Sequence, residues 1–259
     1  MPPRQVIDVI EARKNRSRRH TFLLYGHTRA GKTRFAGTFP RPVFISEYSE
    51  HGYETLVSMN SEAFYEPARA PQVYPISSSS EFWDRWGEIK ATVAKDPDKY
   101  WTLVVDSLKF YADGFRAASE QAQMNNPSRT KGVDRRIVYG DLEMHLRYLM
   151  LTVHNEWPGN VVWTALAKDP DPEKGTLGSA LIGGATDKSA PARCDFFWYQ
   201  QKNPGTGLHE VHTSGFGPYP GGGRDEGKVP SPLTMAHPLL GATYRDFEGA
   251  LFGSHRVTR

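Results

Sequence analysis

The sequence contains very little cysteine and no long apolar run, and both features limit what the protein can be. Cys194 is the one cysteine among 259 residues, so no disulfide can form within the chain, and a reducing compartment suits it. No run of about 18 apolar residues occurs, so we expect no transmembrane helix. Residues 1–20 lack the apolar segment of a secretory signal. We therefore predict a cytoplasmic protein without a membrane partner.

The chain also lacks a strong excess of either charge. Lysine and arginine number 32, aspartate and glutamate number 29, and the net charge is +3. This value is too small to indicate indiscriminate binding to nucleic acid. The basic residues are nevertheless concentrated, at residues 13–19 and again within residues 129–136. Each cluster is either a solvated surface or a contact for phosphate groups.

Short apolar segments alternate with segments of helical periodicity, which indicates a mainly parallel sheet flanked by helices. Apolar residues at Phe82, Trp86, Ile89 and Val93 share one face of a predicted helix, and residues 142–153 repeat the spacing. Pro75 indicates that the strand containing it lies at a sheet edge. The expected strands cover residues 21–25, 42–46, 72–76, 101–106 and 160–166. The segments CDFFWYQ and HEVHTSG are candidates for later, antiparallel strands.

Glycine and proline dominate residues 203–233, which predicts loops and an extended C-terminal segment. We interpret residues 1–259 as a single α/β domain. Its core covers about residues 18–202, and a Gly/Pro-rich C-terminal extension covers residues 203–259. His209 and His212, three residues apart on a predicted strand, face opposite ways and therefore do not suggest a shared metal site.

The segment TFLLYGHTRAGKTRF has the spacing of a phosphate-binding loop, with Gly26 followed after four residues by Gly31, Lys32 and Thr33. The glycines let the backbone turn its N–H groups towards phosphate oxygens. Lys32 supplies a charge for the β- and γ-phosphates, and Thr33 supplies a hydroxyl for Mg2+. The predicted nucleotide-binding residues are Gly26, His27, Thr28, Arg29, Ala30, Gly31, Lys32, Thr33 and Arg34.

A second set of polar residues stands at the ends of other predicted strands. Asp106 closes the strand 101–106, and we predict that it is associated with Mg2+ together with Thr33. Ser107 either helps to hold the water shell of the ion or caps the next helix. The acid that orients the attacking water is Glu47 or Glu50, and we prefer Glu47 because it lies closer to the strand end. Thr164 either senses the γ-phosphate or is an ordinary buried strand threonine.

Taken together, FLLYGHTRAGKTRFAGTFPRPVFIS, WTLVVDSL and VVWTALAK resemble the phage nucleotide-binding AAA/RecA-like ATPases, a group that includes the phage single-strand annealing ATPases. The similarity covers residues 18–232. It implies a RecA-like P-loop NTPase fold in which the Thr164 strand lies between the Lys32 and Asp106 strands. It also implies an ATPase that uses ATP and Mg2+ and acts on single-stranded DNA in recombination or replication, in the host cytoplasm.

The resemblance carries further expectations about partners. RecA-like assemblies are homo-oligomeric rings or filaments in which a neighbour's Lys or Arg reaches the γ-phosphate. The similar segment GGGRDEGKVPSPL offers Arg224 and Lys228 for this role. DNA contacts the loops after the Asp106 and Thr164 strands, and a single-strand DNA-binding protein is a further candidate partner. The DNA-binding candidates are Arg129, Lys131, Arg135 and Arg136.

The sequence also departs from the pattern of this group. The loop reads His27, Thr28, Arg29 and Ala30 where the group commonly has prolines and small residues. Strand two ends Ser46-Glu47-Tyr48 instead of Asp-x-Glu, which leaves the catalytic base open. Three hypotheses follow: a DNA-acting recombination ATPase, a P-loop ATPase used as an assembly switch in helicase loading or packaging, and a nucleotide-binding structural protein with little hydrolysis.

Overall fold

A mainly parallel sheet with helices on both faces forms the centre of the fold. The computed structural model describes residues 19–48, 52–126, 132–224, 228–233 and 242–252. The strands are β1 (Thr21–Gly26), β2 (Pro42–Glu47), β3 (Gln72–Ile76), β4 (Thr102–Asp106), β5 (Asn160–Lys168), β6 (Ser179–Leu181), β7 (Phe196–Lys202), β8 (His209–His212), β9 (Gly215–Phe216), β10 (Tyr219–Pro220) and β11 (Gly222–Gly223). The α-helices are α1 (Lys32–Gly37), α2 (Gly52–Val57), α3 (Phe82–Lys95), α4 (Leu108–Met124), α5 (Arg135–Glu156), α6 (Thr186–Ser189) and α7 (Tyr244–Phe252).

The strand order is β11–β7–β1–β5–β4–β2–β3, and the contacts from β7 to β3 are all parallel. β5, which contains Thr164, lies between β1 and β4, as the resemblance implied. β3 is the edge strand, as Pro75 indicated. The fold is therefore that of a RecA-like P-loop NTPase. None of the described helices is both long and apolar enough to cross a membrane.

The later strands differ from the sequence prediction. Residues 196–200 of the segment CDFFWYQ belong to β7, which pairs in parallel with β1, whereas β8 is antiparallel to β7 as expected. β8 and β11 both belong to the main sheet, so the sheet continues past residue 202, where we expected the core to end. Glycine and proline composition does not reveal such pairing, because strand addition depends on an open neighbouring edge.

Alternation of side chains along the strands divides the core into two halves. On β1, Leu23 and Tyr25 face the side covered by α3 to α5, while Phe22 and Leu24 face α1, α2 and α7. Val105 and Val104 on β4 alternate in the same way. By this alternation, polar residues of three strands share the α1 face: Ser46 and Asp106 near the ends of β2 and β4, and Thr164 in the middle of β5.

Candidate nucleotide-binding site

The phosphate loop connects β1 to α1, and its two glycines are required by close neighbours, the backbone of β7 at Gly26 and the side chain of His209 at Gly31. A Cβ atom on Gly26 would stand 2.2 Å from the carbonyl oxygen of Gln200 on β7. Gly31 has a φ of 92°, in the left-handed region, and a Cβ there would stand 2.5 Å from Nδ1 of His209. The close approach of β7 and β8 thus excludes side chains at both ends of the loop.

The side chain of Lys32 lies inside the loop. Its ammonium group donates hydrogen bonds to the carbonyl oxygens of Gly26 and His27, both at 2.9 Å. The residue is buried, because α1 begins at this position and the loop folds over it. The positive charge is therefore held at the centre of the loop, where a phosphate group would meet it.

A carboxylate on β4 links the loop to the neighbouring strand. Thr33 donates its hydroxyl to Oδ2 of Asp106 at 2.7 Å, and Thr164 on β5 donates its hydroxyl to Oδ1. The Asp106 side chain is buried. A Cβ atom placed on Gly52 would lie 3.6 Å from Oδ2 of Asp106 and 3.7 Å from Oγ of Ser46. Four polar side chains from α1, β2, β4 and β5 therefore converge on one point.

Ser107 adds a hydroxyl at the same place. It precedes α4 at the N-cap position, but its side chain makes no capping hydrogen bond. Its Oγ atom is buried and has no hydrogen-bond partner among the described residues. A buried hydroxyl without a partner costs about 1–3 kcal/mol, so a bound ligand or water would relieve it. Of the two roles predicted for Ser107, the geometry favours contact with the water shell of an ion over helix capping.

These oxygen atoms fit a hard cation. Mg2+ prefers carboxylate, hydroxyl and water oxygens, and it usually keeps several waters when one or two carboxylates hold it. Thr33 and Asp106 would hold the ion, with Ser46 and Ser107 beside them. The two residues predicted to be associated with Mg2+ are thus in direct contact with each other, while their association with the ion stays a prediction.

A cavity of about 630 Å³ opens above the loop. This volume lies within the range of about 300–1,000 Å³ that small-molecule sites occupy. Its walls come from the loop and α1, from α2, from the β4–α4 junction and from the ends of β5, β7 and β8. The lining residues are Thr28, Arg29, Gly31, Lys32, Thr33, Arg34, Gly52, Thr55, Asp106, Ser107, Leu166, Lys202 and His209.

The sequence analysis did not identify Lys202 and His209 as site residues. His209 Nδ1 lies 2.9 Å from the carbonyl oxygen of Ala30, and burial, together with the charges of Arg34 and Lys202, lowers the pKa of the imidazole. His212 faces the other way, against the ring of Phe216 at 4.6 Å. No local motif marks His209, because its place above the loop depends on how β8 is added to the sheet.

Of the two candidates for the water-activating acid, the structure describes Glu47, and Glu47 does not reach the cavity. Glu47 is the last residue of β2, half-buried, and pairs in register with Ile76 of β3. It does not line the cavity, and alternation places it on the face opposite to Ser46. Glu50 lies outside the described residues. The assignment of the catalytic base stays a prediction.

Of the two candidates for action on a neighbouring subunit, Arg224 lies away from the loop. Arg224 follows β11 and forms an ion pair with Asp195 at 3.1 Å. Asp195 also accepts a hydrogen bond from the backbone N–H of Thr21, at the start of β1. Because the loop follows the other end of β1, Arg224 cannot serve the loop of its own chain. Lys228 is exposed.

Two of the four basic DNA-binding candidates, Arg135 and Arg136, lie at the end of a helical pair. α4 begins at Leu108, directly after Asp106 and Ser107, and α5 returns antiparallel to it, with Ser119 and Asp141 bonded at 2.6 Å. Arg135 and Arg136 are exposed in the first turn of α5. Arg129 and Lys131 lie outside the described residues.

A comparison with protein families gives an independent result. The family model described as an AAA domain matches residues 18–184, well over half of the chain. The chain belongs to this family, which indicates a nucleotide-binding ATPase. No curated protein matches the sequence. The matched region contains the phosphate loop, Asp106 and Thr164, and it ends before β7 and β8.

Proposed function

We propose, from the chain's membership of the AAA domain family and the geometry of its phosphate loop, that it is a Mg2+-dependent ATPase. We further propose that it acts on single-stranded DNA in phage recombination, by annealing or strand pairing. The observation that carries the ATPase proposal is the position of Asp106. Its carboxylate accepts hydrogen bonds from the hydroxyl groups of both Thr33 and Thr164. Asp106 on β4 thereby connects Thr33, directly after the loop, to β5, the strand that lies between β1 and β4.

Each residue of the site has a role in this proposal. Lys32 and the backbone N–H groups of the loop would bind the β- and γ-phosphates of ATP. Thr33 and Asp106 would hold Mg2+, and bound Mg2+ supplies charge that neutralises the transferring phosphoryl group. The hydroxyl of Thr164 donates a hydrogen bond that holds the Asp106 carboxylate in place. A change at the γ-phosphate that moves this carboxylate would therefore also move Thr164 on β5.

The DNA part of the proposal is supported by the connection between the site and α4–α5. Asp106 leads directly into α4, and the exposed Arg135 and Arg136 stand where α5 begins. Arginine side chains neutralise DNA phosphates without reading sequence. A shift of α4 on nucleotide binding would therefore move a basic surface, which gives ATP a route to DNA affinity.

We propose in addition that the protein works as a homo-oligomer, a ring or a filament, possessing nucleotide sites shared between subunits. Arg224 lies at the far end of β1 from its own loop, and its side chain is 70% exposed. This placement suits contact with the loop of a neighbour, as does the exposure of Lys228. A single-strand DNA-binding protein would be a natural partner on the same DNA.

A second candidate function is supported by the small number of acidic residues among the described residues that line the cavity. Asp106 is the only carboxylate among the described residues that line it. A site without a second acid near the γ-phosphate would bind ATP and hydrolyse it slowly. The chain would then use ATP as an assembly switch, in helicase loading or packaging, or as a structural ligand.

ATP turnover with and without single-stranded DNA tests these alternatives, with Lys32→Ala as the variant that removes the phosphate charge. We expect single-stranded DNA to stimulate the turnover of ATP, and we expect Lys32→Ala to abolish this turnover. Turnover that DNA leaves unchanged would favour the assembly switch. Glu47→Gln and Glu50→Gln, measured beside the wild type, identify the base: the true base should lose at least about 10²-fold in rate.

A further inference from the structure

The phosphate loop is held in an unusual backbone conformation. Arg29 has a φ of 63°, and Gly31 has a φ of 92°. The left-handed region is costly for a residue with a side chain, and such a conformation persists only where surrounding contacts enforce it. Ala30 lies between the two residues and is buried. Besides the hydrogen bonds from Lys32 to the carbonyl oxygens of Gly26 and His27, the contacts of Ala30 and Gly31 hold this part of the loop in shape.

His209 makes both of these contacts. Its Nδ1 lies 2.9 Å from the carbonyl oxygen of Ala30, and its ring occupies the space beside Gly31 that a Cβ atom would take. A carbonyl oxygen can only accept a hydrogen bond, so Nδ1 carries the proton and donates the hydrogen bond. Burial and the charges of Arg34 and Lys202 lower the pKa of this histidine, which favours the neutral ring.

The position of His209 is itself well fixed. Asn203 closes the β7–β8 hairpin: its backbone N–H donates to the carbonyl of Leu208 at 2.8 Å, and its side chain accepts from the N–H of Gly205 and donates to Glu210. The carbonyl of His209 accepts from the N–H of Ala242 at 3.2 Å. The imidazole is therefore supported by strand pairing, by a closed turn and by the C-terminal segment.

We propose that His209 is a positioning residue of the nucleotide site: its Nδ1–H holds the Ala30 carbonyl and its ring supports Gly31, so that the phosphate loop keeps its binding shape before nucleotide arrives. The inference rests on the proposed nucleotide-binding function. A loop that is already ordered avoids part of the entropy cost of binding. Loss of the contact should therefore weaken nucleotide affinity without removing any group of the loop.

Four variants test the role of His209 through the affinity for a fluorescently labelled ATP. His209→Leu keeps an apolar side chain of similar size but removes the donor. His209→Asn places an amide nitrogen at the same number of bonds from Cβ as Nδ1, whereas His209→Gln places it as far out as Nε2. His212→Asn, on the same strand and facing the other way, is the matched control.

We expect His209→Leu to weaken binding about three- to tenfold, the value of one hydrogen bond. Asn should restore affinity to within about twofold of the wild type, Gln should not, and His212→Asn should leave it unchanged. Thermal unfolding of each variant separates loss of affinity from loss of fold. Equal affinities of the Asn and Gln variants would overturn the role of Nδ1, even if His209→Leu failed to fold.

The same affinity measurement, extended to Lys32→Ala, separates this inference from the proposed function. If the wild type binds no ATP, the proposed function fails, and the inference fails with it. If the wild type binds ATP and Lys32→Ala does not, while His209→Leu binds as the wild type does, only the role of His209 is overturned.

Discussion

At the scale of single residues, the site depends on side chains that come from a helix and from a strand and meet at Asp106 on β4. Thr33 and Thr164 each donate to a different oxygen of this carboxylate. An ionised carboxylate can accept at both oxygens, whereas a carboxamide offers one oxygen and two N–H donors. The arrangement therefore uses a property that no isosteric side chain reproduces.

The corresponding prediction is that Asp106→Asn retains nucleotide binding but loses turnover. The substitution removes the charge that would hold Mg2+ and leaves one of the two threonine hydroxyls without its acceptor. We expect nucleotide affinity within about tenfold of the wild type and a rate at least about 10²-fold lower. Asp84→Asn, at an exposed position on α3, is the control. Turnover at the wild-type rate would leave Asp106 as a structural residue only.

Some of these site residues can be predicted from the sequence and others cannot, for a physical reason. The loop from Gly26 to Thr33 and the strand-end Asp106 are visible because their chemistry needs a local spacing or a local apolar run. The roles of Ser46 and His209 arise only when β2 lies beside β4 and β8 lies beside β7. No spacing in the chain encodes that proximity.

At the scale of secondary-structure elements, the connection from β1 to α1 is shaped by its neighbour β7. The two strands are parallel and adjacent, and the backbone of Gln200 passes close to Gly26. The glycine is therefore needed for packing between strands as well as for phosphate contact. Gly140 on α5 offers a comparison, because nothing lies within 4 Å of a Cβ placed there.

We predict opposite effects of alanine at these two glycines. Gly26→Ala should lower the free energy of unfolding by about 1–3 kcal/mol, because the methyl group collides with the backbone of β7. Gly140→Ala, in an open position within a helix, should raise it by up to about 1 kcal/mol. Urea unfolding of both variants measures the difference. A neutral Gly26→Ala would mean that β1 and β7 can separate without cost.

The pair α4–α5 supplies a second prediction at this scale. If Arg135 and Arg136 both contact phosphate, replacing them by alanine should flatten the slope of log affinity against log salt by about 1.4, at about 0.7 for each single-strand phosphate. Fluorescence anisotropy with a labelled oligonucleotide, with and without ATP, measures this slope. The pair Arg85→Ala and Lys95→Ala on α3 is the charge-matched control. An unchanged slope in the Arg135/Arg136 variant would place the DNA elsewhere.

At the scale of the whole molecule, residues far apart in the chain close the core over the α1 face of the sheet. The ring of Phe247 on α7 is fully buried and contacts the rings of Phe22, Phe196 and Trp198 at 5.1–5.4 Å between centroids. The backbone N–H of Tyr244 donates to the hydroxyl of Thr38, just after α1, at 2.8 Å. The C-terminal helix therefore supports the strands and the helix that flank the phosphate loop.

We expect Phe247→Ala to destabilise the protein strongly. Removal of a fully buried phenylalanine ring leaves a cavity among aromatic neighbours and costs about 3–5 kcal/mol. Met124→Ala at the end of α4, where the side chain is 63% exposed, should change the free energy of unfolding by less than about 0.5 kcal/mol. Chemical denaturation compares the two. Similar small effects would show that α7 is dispensable for the core.

The sequence alone determined the phosphate loop, the strand that ends in Asp106, the alternation of strands and helices and the edge position of β3. Each of these depends on short-range spacing or on local conformational preference. Tertiary structure alone decided the parallel pairing of β7, the addition of β8 and β11 to the sheet, and the meeting of His209 with Ala30. The order of the strands brings together residues about 180 positions apart in the chain, such as His209 and Ala30. The free energy of such pairing comes from burial and from backbone hydrogen bonds, which no local sequence pattern encodes.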